Sequence, residues 1–316
     1  MLNQASMAGK ERIISVSVAT VWTSPDSPRD KDRSALLNPV DLYGWFARMD
    51  DGDRLDLYTG NRIQTQALYG TRVILLEERG DWAKIAIPDQ PTPKNPLGYP
   101  GWIPTCQLSP VLPEMEEKRH GVAMVTAHKT NLYSTEKEPG IELSFLTRLP
   151  ILNPGEDWIT VATPHGPRLL RKEDVTVVAS EGDKGEGQTT GIEIGEALVK
   201  TAKRFLGLRY LWGGLSAYGY DCSGFVYSVY KAHGIIIPRD SSVQSEHGRK
   251  IGRDELLPGD LLFFAHEEGK GRVHHVGMYI GNNRMIHSPD TSSCVEIVSL
   301  AGYKLEKEHA ISRRYV

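Results

Sequence analysis

The chain has 316 residues, with 37 Lys and Arg against 40 Asp and Glu and a formal net charge of −3. Hydrophobic residues at 40% suffice for two or three cores, while the absence of a basic surplus or a long acidic run excludes nucleic acid as an expected partner. The three cysteines, Cys106, Cys222 and Cys294, are odd in number and far apart, which excludes a disulfide framework or a zinc knuckle.

The N-terminal stretch MLNQASMAGKERIISVSVAT has no apolar run suited to a leader or a membrane span. The expected location is the cytoplasm, or the extracellular space if a leader was removed earlier, and no membrane partner is expected. Residues 38–48, NPVDLYGWFAR, predict a short helix capped by Asn38 with Pro39 in its first turn. Two later segments resemble each other: GDWAKIAI at 80–87, followed by Pro88, and EDWITVA at 156–162, followed by Thr163 and Pro164. Each starts acidic-Trp, alternates with period two and stops at proline. Strand candidates at 72–76 and 145–149 precede them, and others at 101–104 and 169–177 follow. The pattern predicts two small all-β barrels, over about 50–112 and 118–180.

Residues 180–191, SEGDKGEGQTTG, read as a linker. Beyond it, helical spacing over 192–206 ends at Gly207, and a second helix covers 222–233. Strand candidates follow at 260–265, 273–280 and 284–287. Helices followed by strands predict an α+β domain. The expected divisions are 1–115, 116–180, a linker at 181–191, and 192–316.

In YDCSGFVYSVYKAHG, residues 220–234, Asp221 suits an N-cap and puts Cys222 in the first helical turn, where unpaired N–H groups favour a thiolate. The hairpin candidate VHHVGMYIGNNRMIHSP turns at residues 281–283. A three-residue loop pairs Ile280 with Arg284 and Gly277 with His287, so His275 and His287 share one sheet face; a two-residue loop would separate them. Gly277 leaves room beside His287. One thiol and two same-face histidines suit a nucleophile, a base and an orienting group. The same three side chains also leave a metal site open as an alternative.

The blocks GLRYLWGG at 207–214, DCSGF at 221–225, RDS at 239–241, LPGDL at 257–261, HHVGMYIG at 274–281 and then His287 resemble the NlpC-type peptidases, papain-like cysteine enzymes acting on peptidoglycan stem peptides. With two SH3-like barrels in front, the whole resembles the group of γ-D-glutamyl-L-diamino acid endopeptidases that recycle muropeptides and require a free N-terminal L-Ala. The resemblance implies Cys222 as nucleophile, His275 as base and His287 as its orienter. It also implies a substrate ammonium held by Asp221 and Tyr99, contacts from Ser223, Asp240 and Ser241, and Tyr210 beside the oxyanion region. The implied reaction cuts the bond between D-Glu and meso-diaminopimelate or L-Lys and releases L-Ala-D-Glu, in a monomer that needs no metal or organic cofactor. The group also carries an acidic residue in an earlier loop of the first barrel, whereas the best-matching position here is Gln64. Two other readings remain: an amidase or acyltransferase on the same thiol fold, and a wall-binding adaptor.

Overall fold

A computed structural model describes residues 10–116, 120–178 and 191–316; all of the expected linker but Gly191 lies outside the described residues. The chain divides into two compact units, Met1–Pro88 with Leu97–Glu186, and Asp89–Pro96 with Gly187–Val316.

The first unit holds two β-rich SH3-like sheets. Strands β1 (Glu11–Ile14), β2 (Val18–Trp22), β3 (Ile63–Leu68), β4 (Arg72–Arg79), β5 (Trp82–Ile87), β6 (Tyr99–Pro104) and β7 (Leu108–Ser109) form one sheet in the order β3-β2-β6-β5-β4-β1-β7. Strands β8 (Val122–Val125), β9 (Lys129–Thr135), β10 (Glu138–Ser144), β11 (Arg148–Pro154), β12 (Trp158–Val161), β13 (Arg168–Arg171) and β14 (Val175–Val178) form the other in the order β10-β9-β13-β12-β11-β8-β14. The second order is the first with seven added to every strand, so the related segments around Trp82 and Trp158 are equivalent strands of a repeated unit. Alternation explains them: Ala83, Ile85, Ile159 and Val161 point into the two cores.

The first barrel begins earlier than expected. Its β2 is buried at every position and therefore shows no alternation to read. The helix expected at 38–48 is α1 (Leu42–Arg48), capped by Asp41, whose carboxylate accepts from the Gly44 N–H at 2.8 Å; Asn38 and Pro39 lie outside it. A further helix, α2 (Asp51–Thr59), occupies what was expected to be the start of the barrel. Asp50 and Asp53 form its capping box, while only Arg54 and Leu57 are buried, so its apolar signal is faint.

The second unit is α+β. Helices α3 (Gly191–Lys203), α4 (Cys222–Ala232) and α5 (Ser241–Gln244) accompany a two-stranded ribbon, β15 (Leu215–Ser216) and β16 (Gly219–Tyr220). The main sheet contains β17 (Arg249–Ile251), β18 (Leu261–Ala265), β19 (Val273–Tyr279), β20 (Arg284–His287), β21 (Glu296–Ser299) and β22 (His309–Arg314), in the order β17-β22-β18-β19-β20-β21. All its pairings are antiparallel. Asp89–Pro96 was expected with the first barrel but belongs to this unit. Tyr227 Oη donates to the Asp89 carbonyl at 2.5 Å, the Arg239 N–H donates to the Pro91 carbonyl at 3.1 Å, and Lys94 pairs with Asp240 at 3.1 Å.

Candidate active site

Cys222 is the first residue of α4. Asp221, extended at φ −82° and ψ 177°, caps the helix by accepting from the Gly224 N–H at 2.6 Å. Phe225, Val226, Val229 and Tyr230 are fully or almost fully buried, so α4 is anchored by its later turns. The helix lies against β19, and the backbone N–H of Val276 is aimed at the sulfur.

The surroundings of the thiol oppose the thiolate that its helical position favours. Burial, and next the Asp221 carboxylate, push it up to about 12. The N–H groups of Val276 and Ser223 and the charge of Arg239 act the other way and do not prevail. Tyr210 is buried as well, and burial followed by the nearby Cys222 thiol pushes its phenol well up.

The hairpin has the three-residue loop. Met278 faces Ile286, Tyr279 faces Met285, and the Ile280 N–H donates to the Arg284 carbonyl at 3.0 Å. Gly281, Asn282 and Asn283 take φ of 87°, 51° and 54°, a left-handed run that Gly and Asn tolerate. The register brings His275 and His287 onto one face, with His275 Nε2 2.7 Å from His287 Nδ1 and the rings edge-on at 82°. Gly277 makes this fit possible, since a Cβ there would lie 2.7 Å from Met285 Sδ and 3.3 Å from His287 Cβ. Burial, then His287, hold the His275 imidazole well below its ordinary value; burial and Lys304 bring His287 to about 4, with Asp290 opposing. Both rings are therefore neutral at pH 7, the state a base requires.

Asp221, expected to hold a substrate ammonium, also has a cation partner within the chain. Arg239, 1% exposed, already holds it, with Nη1 to Oδ1 at 3.0 Å and Nη2 to Oδ2 at 2.7 Å. Ser223 Oγ donates to Asp221 Oδ1 at 3.1 Å and accepts from Arg239 Nη1 at 2.9 Å. Its hydroxyl therefore supports this pair. Among the described residues, Oδ1 takes three donors and Oδ2 one. Motif spacing alone assigns Arg239 no role; the signal for it is that a buried Asp needs a cation.

Asp240 precedes α5 without capping it and pairs with Lys94, while half-buried Ser241 opens the helix. Tyr99 lies in β6, 1% exposed, within the apolar core of the first barrel with Val21, Ile85 and Ile103. Gln64 is in β3, where its amide donates to Thr23 Oγ1 at 2.8 Å. Among the described residues, no group of three His, Cys, Asp or Glu is arranged to hold a metal ion.

A buried thiol thus opens a helix that lies against the strand of the paired His275. Residues 207–314 match the NlpC/P60 family and residues 125–177 match the YkfC SH3b2 domain. The chain is 43% identical over 298 residues to a gamma-D-glutamyl-L-lysine dipeptidyl-peptidase of Bacillus subtilis, covering 94% of this chain and 96% of that one. It is 44% identical over 308 residues to a protein of the same name from Bacillus cereus, covering 96% and 90%. The crystal structure of a Bacillus cereus NlpC/P60 family protein superposes with a TM-score of 0.89 at 43% identity, covering 96% of this chain and 99% of that one. The chain belongs to the NlpC/P60 family of cysteine peptidases.

Proposed function

We propose that this protein hydrolyses the amide between the γ-carboxyl of D-Glu and the following L-diamino acid in peptidoglycan-derived peptides with a free N-terminal L-Ala, releasing L-Ala-D-Glu. The observation that carries the reading is near-full-length identity of 43% and 44% to two enzymes named for the gamma-D-glutamyl-L-lysine bond. Those names favour L-Lys at the third position, and recycling of muropeptides is part of the reading.

In the proposed mechanism His275 takes the thiol proton as Cys222 Sγ attacks the γ-carbonyl. Its Nε2 is engaged by His287, so Nδ1 is the nitrogen that receives the proton. The backbone N–H of Cys222, at the open end of α4, supports the oxyanion. Collapse expels the diamino acid amine, which takes the proton from His275 and leaves a thioester on Cys222. Water, deprotonated by His275, attacks the thioester; the dipeptide leaves and the proton returns to sulfur. The substrate ammonium meets Asp221 Oδ2, the oxygen with a single donor. Since Arg239 already balances the carboxylate, the ammonium contributes one charge-assisted hydrogen bond, about 1.5–3 kcal/mol, or roughly ten- to hundredfold in specificity.

The test is kcat/KM for L-Ala-γ-D-Glu-L-Lys against its N-acetyl derivative, with mass detection of the dipeptide. The acetylated peptide is expected to be cut roughly ten- to hundredfold more slowly. Comparable values would overturn amine recognition, and no cleavage of either peptide would overturn the substrate assignment.

A further inference from the structure

We propose that Glu296 and Tyr303 are positioning residues that hold His287 as its Nε2–H tautomer, leaving His287 Nδ1 to accept from His275 and the Nδ1 of His275 bare for the Cys222 proton. The inference rests on Cys222 and His275 forming the reacting pair and is independent of which peptide is cut.

His275 can act as a base at Nδ1 only if its own proton sits on Nε2, the nitrogen 2.7 Å from His287 Nδ1. His287 Nδ1 must then be an acceptor, so in the neutral ring the proton is on Nε2 and needs an acceptor of its own. The His287 side chain is 0% exposed, so bulk solvent does not reach it. Among the described residues two oxygens do: Tyr303 Oη at 3.4 Å, with its ring edge-on to His287 at 88°, and Glu296 Oε1 at an ion-pair distance of 3.5 Å.

These acceptors differ in kind. A phenol hydroxyl either donates or accepts, and by donating to Nε2 it would drive the His287 proton to Nδ1. His275 would then present N–H to the thiol and could not act as base. A carboxylate offers oxygens that accept, so Glu296 decides the direction. Its place is set by the backbone, because Glu296 is the cross-strand partner of His287 in the β20–β21 ladder. Burial, followed by the charges of Glu296 and Asp290, pushes the Tyr303 phenol up to about 12, so its proton stays on. The other charged or titratable groups acting here are Lys304, paired with Asp290 at 2.9 Å, and His274.

The test uses the full chain carrying Glu296→Leu, Glu296→Gln, Tyr303→Phe and the double change Glu296→Leu with Tyr303→Phe. Nitrogen NMR of ¹⁵N-histidine-labelled protein reads the His287 tautomer, kinetics on L-Ala-γ-D-Glu-L-Lys reads kcat and KM, and thermal unfolding confirms folding. Wild type is expected to carry the His287 proton on Nε2. The double variant is expected to mix tautomers and lose about 10–100-fold in kcat at unchanged KM, by analogy with outer-shell partners of ligating histidines. Glu296→Gln should fall between wild type and Glu296→Leu. An Nδ1–H tautomer in the wild type, or a folded double variant with wild-type kcat or a change in KM alone, would overturn the proposal. Cys222→Ala assayed in parallel separates the two readings: turnover by that variant sinks the nucleophile assignment, whereas the tautomer result reports on the positioning residues alone.

Discussion

Arg239 grips both carboxylate oxygens of Asp221, the residue immediately before Cys222, in a bidentate pair whose side chains are 1% and 8% exposed. The pair fixes the cap of the helix that presents the thiol, so a charge interaction sets the position of Cys222. Arg239→Met should leave a buried carboxylate unpaired and cost about 3–5 kcal/mol in denaturant unfolding. Joining Asp221→Asn to it should restore part of that loss, and additive losses would show that the two side chains do not act as a pair.

The proposed role of Cys222 makes a second prediction. Cys222→Ala and Cys222→Ser should both keep the fold and lose turnover, because the buried site does not ionise a hydroxyl. Burial and Asp221 push the thiol up, so iodoacetamide labelling of Cys222 should keep rising between about pH 7 and 9. A labelling rate already flat across that range would show a preformed thiolate.

Stability should fall in mild acid. His287 has a folded value of about 4 against an ordinary 6.5, so the unfolded chain binds the extra proton between those limits. Stability is therefore complete above about pH 6.5, declines as pH falls toward 4, and loses about 3 kcal/mol from this group. His275, held low by burial, acts in the same direction. Urea unfolding from pH 7 to 4 reads the slope, and His287→Gln should flatten it.

Gly277 offers a steric test. An added Cβ at 3.3 Å from His287 Cβ and 2.7 Å from Met285 Sδ must displace one of them. Gly277→Ala should lower kcat roughly ten- to hundredfold through misplacement of the histidine pair, with a smaller effect on KM. Unchanged kcat would mean that Met285 alone gives way.

Much of the site was legible because its signals are local. A cap residue before a cysteine, period-two alternation, and a Gly-Asn-Asn turn each act over a few residues, and together they determined that Cys222 opens a helix and that His275 and His287 share a face. The same locality carried the two Trp-led strands that mark the repeated barrels. The sequence alone could not say what Asp221 binds: its partner Arg239 lies 18 residues away and was selected by the need of a buried carboxylate for a buried cation. Nor could it show Glu296 and Tyr303 beside His287, since those contacts arise from the pairing of β20 with β21 and from the chain that follows it. Strand β2, wholly buried, and helix α2, with two buried side chains, had too little contrast between faces to be read. Backbone preference and short spacing wrote the local elements into the chain. Burial, which obliges each charge and each N–H to find a partner wherever the fold supplies one, decided the rest.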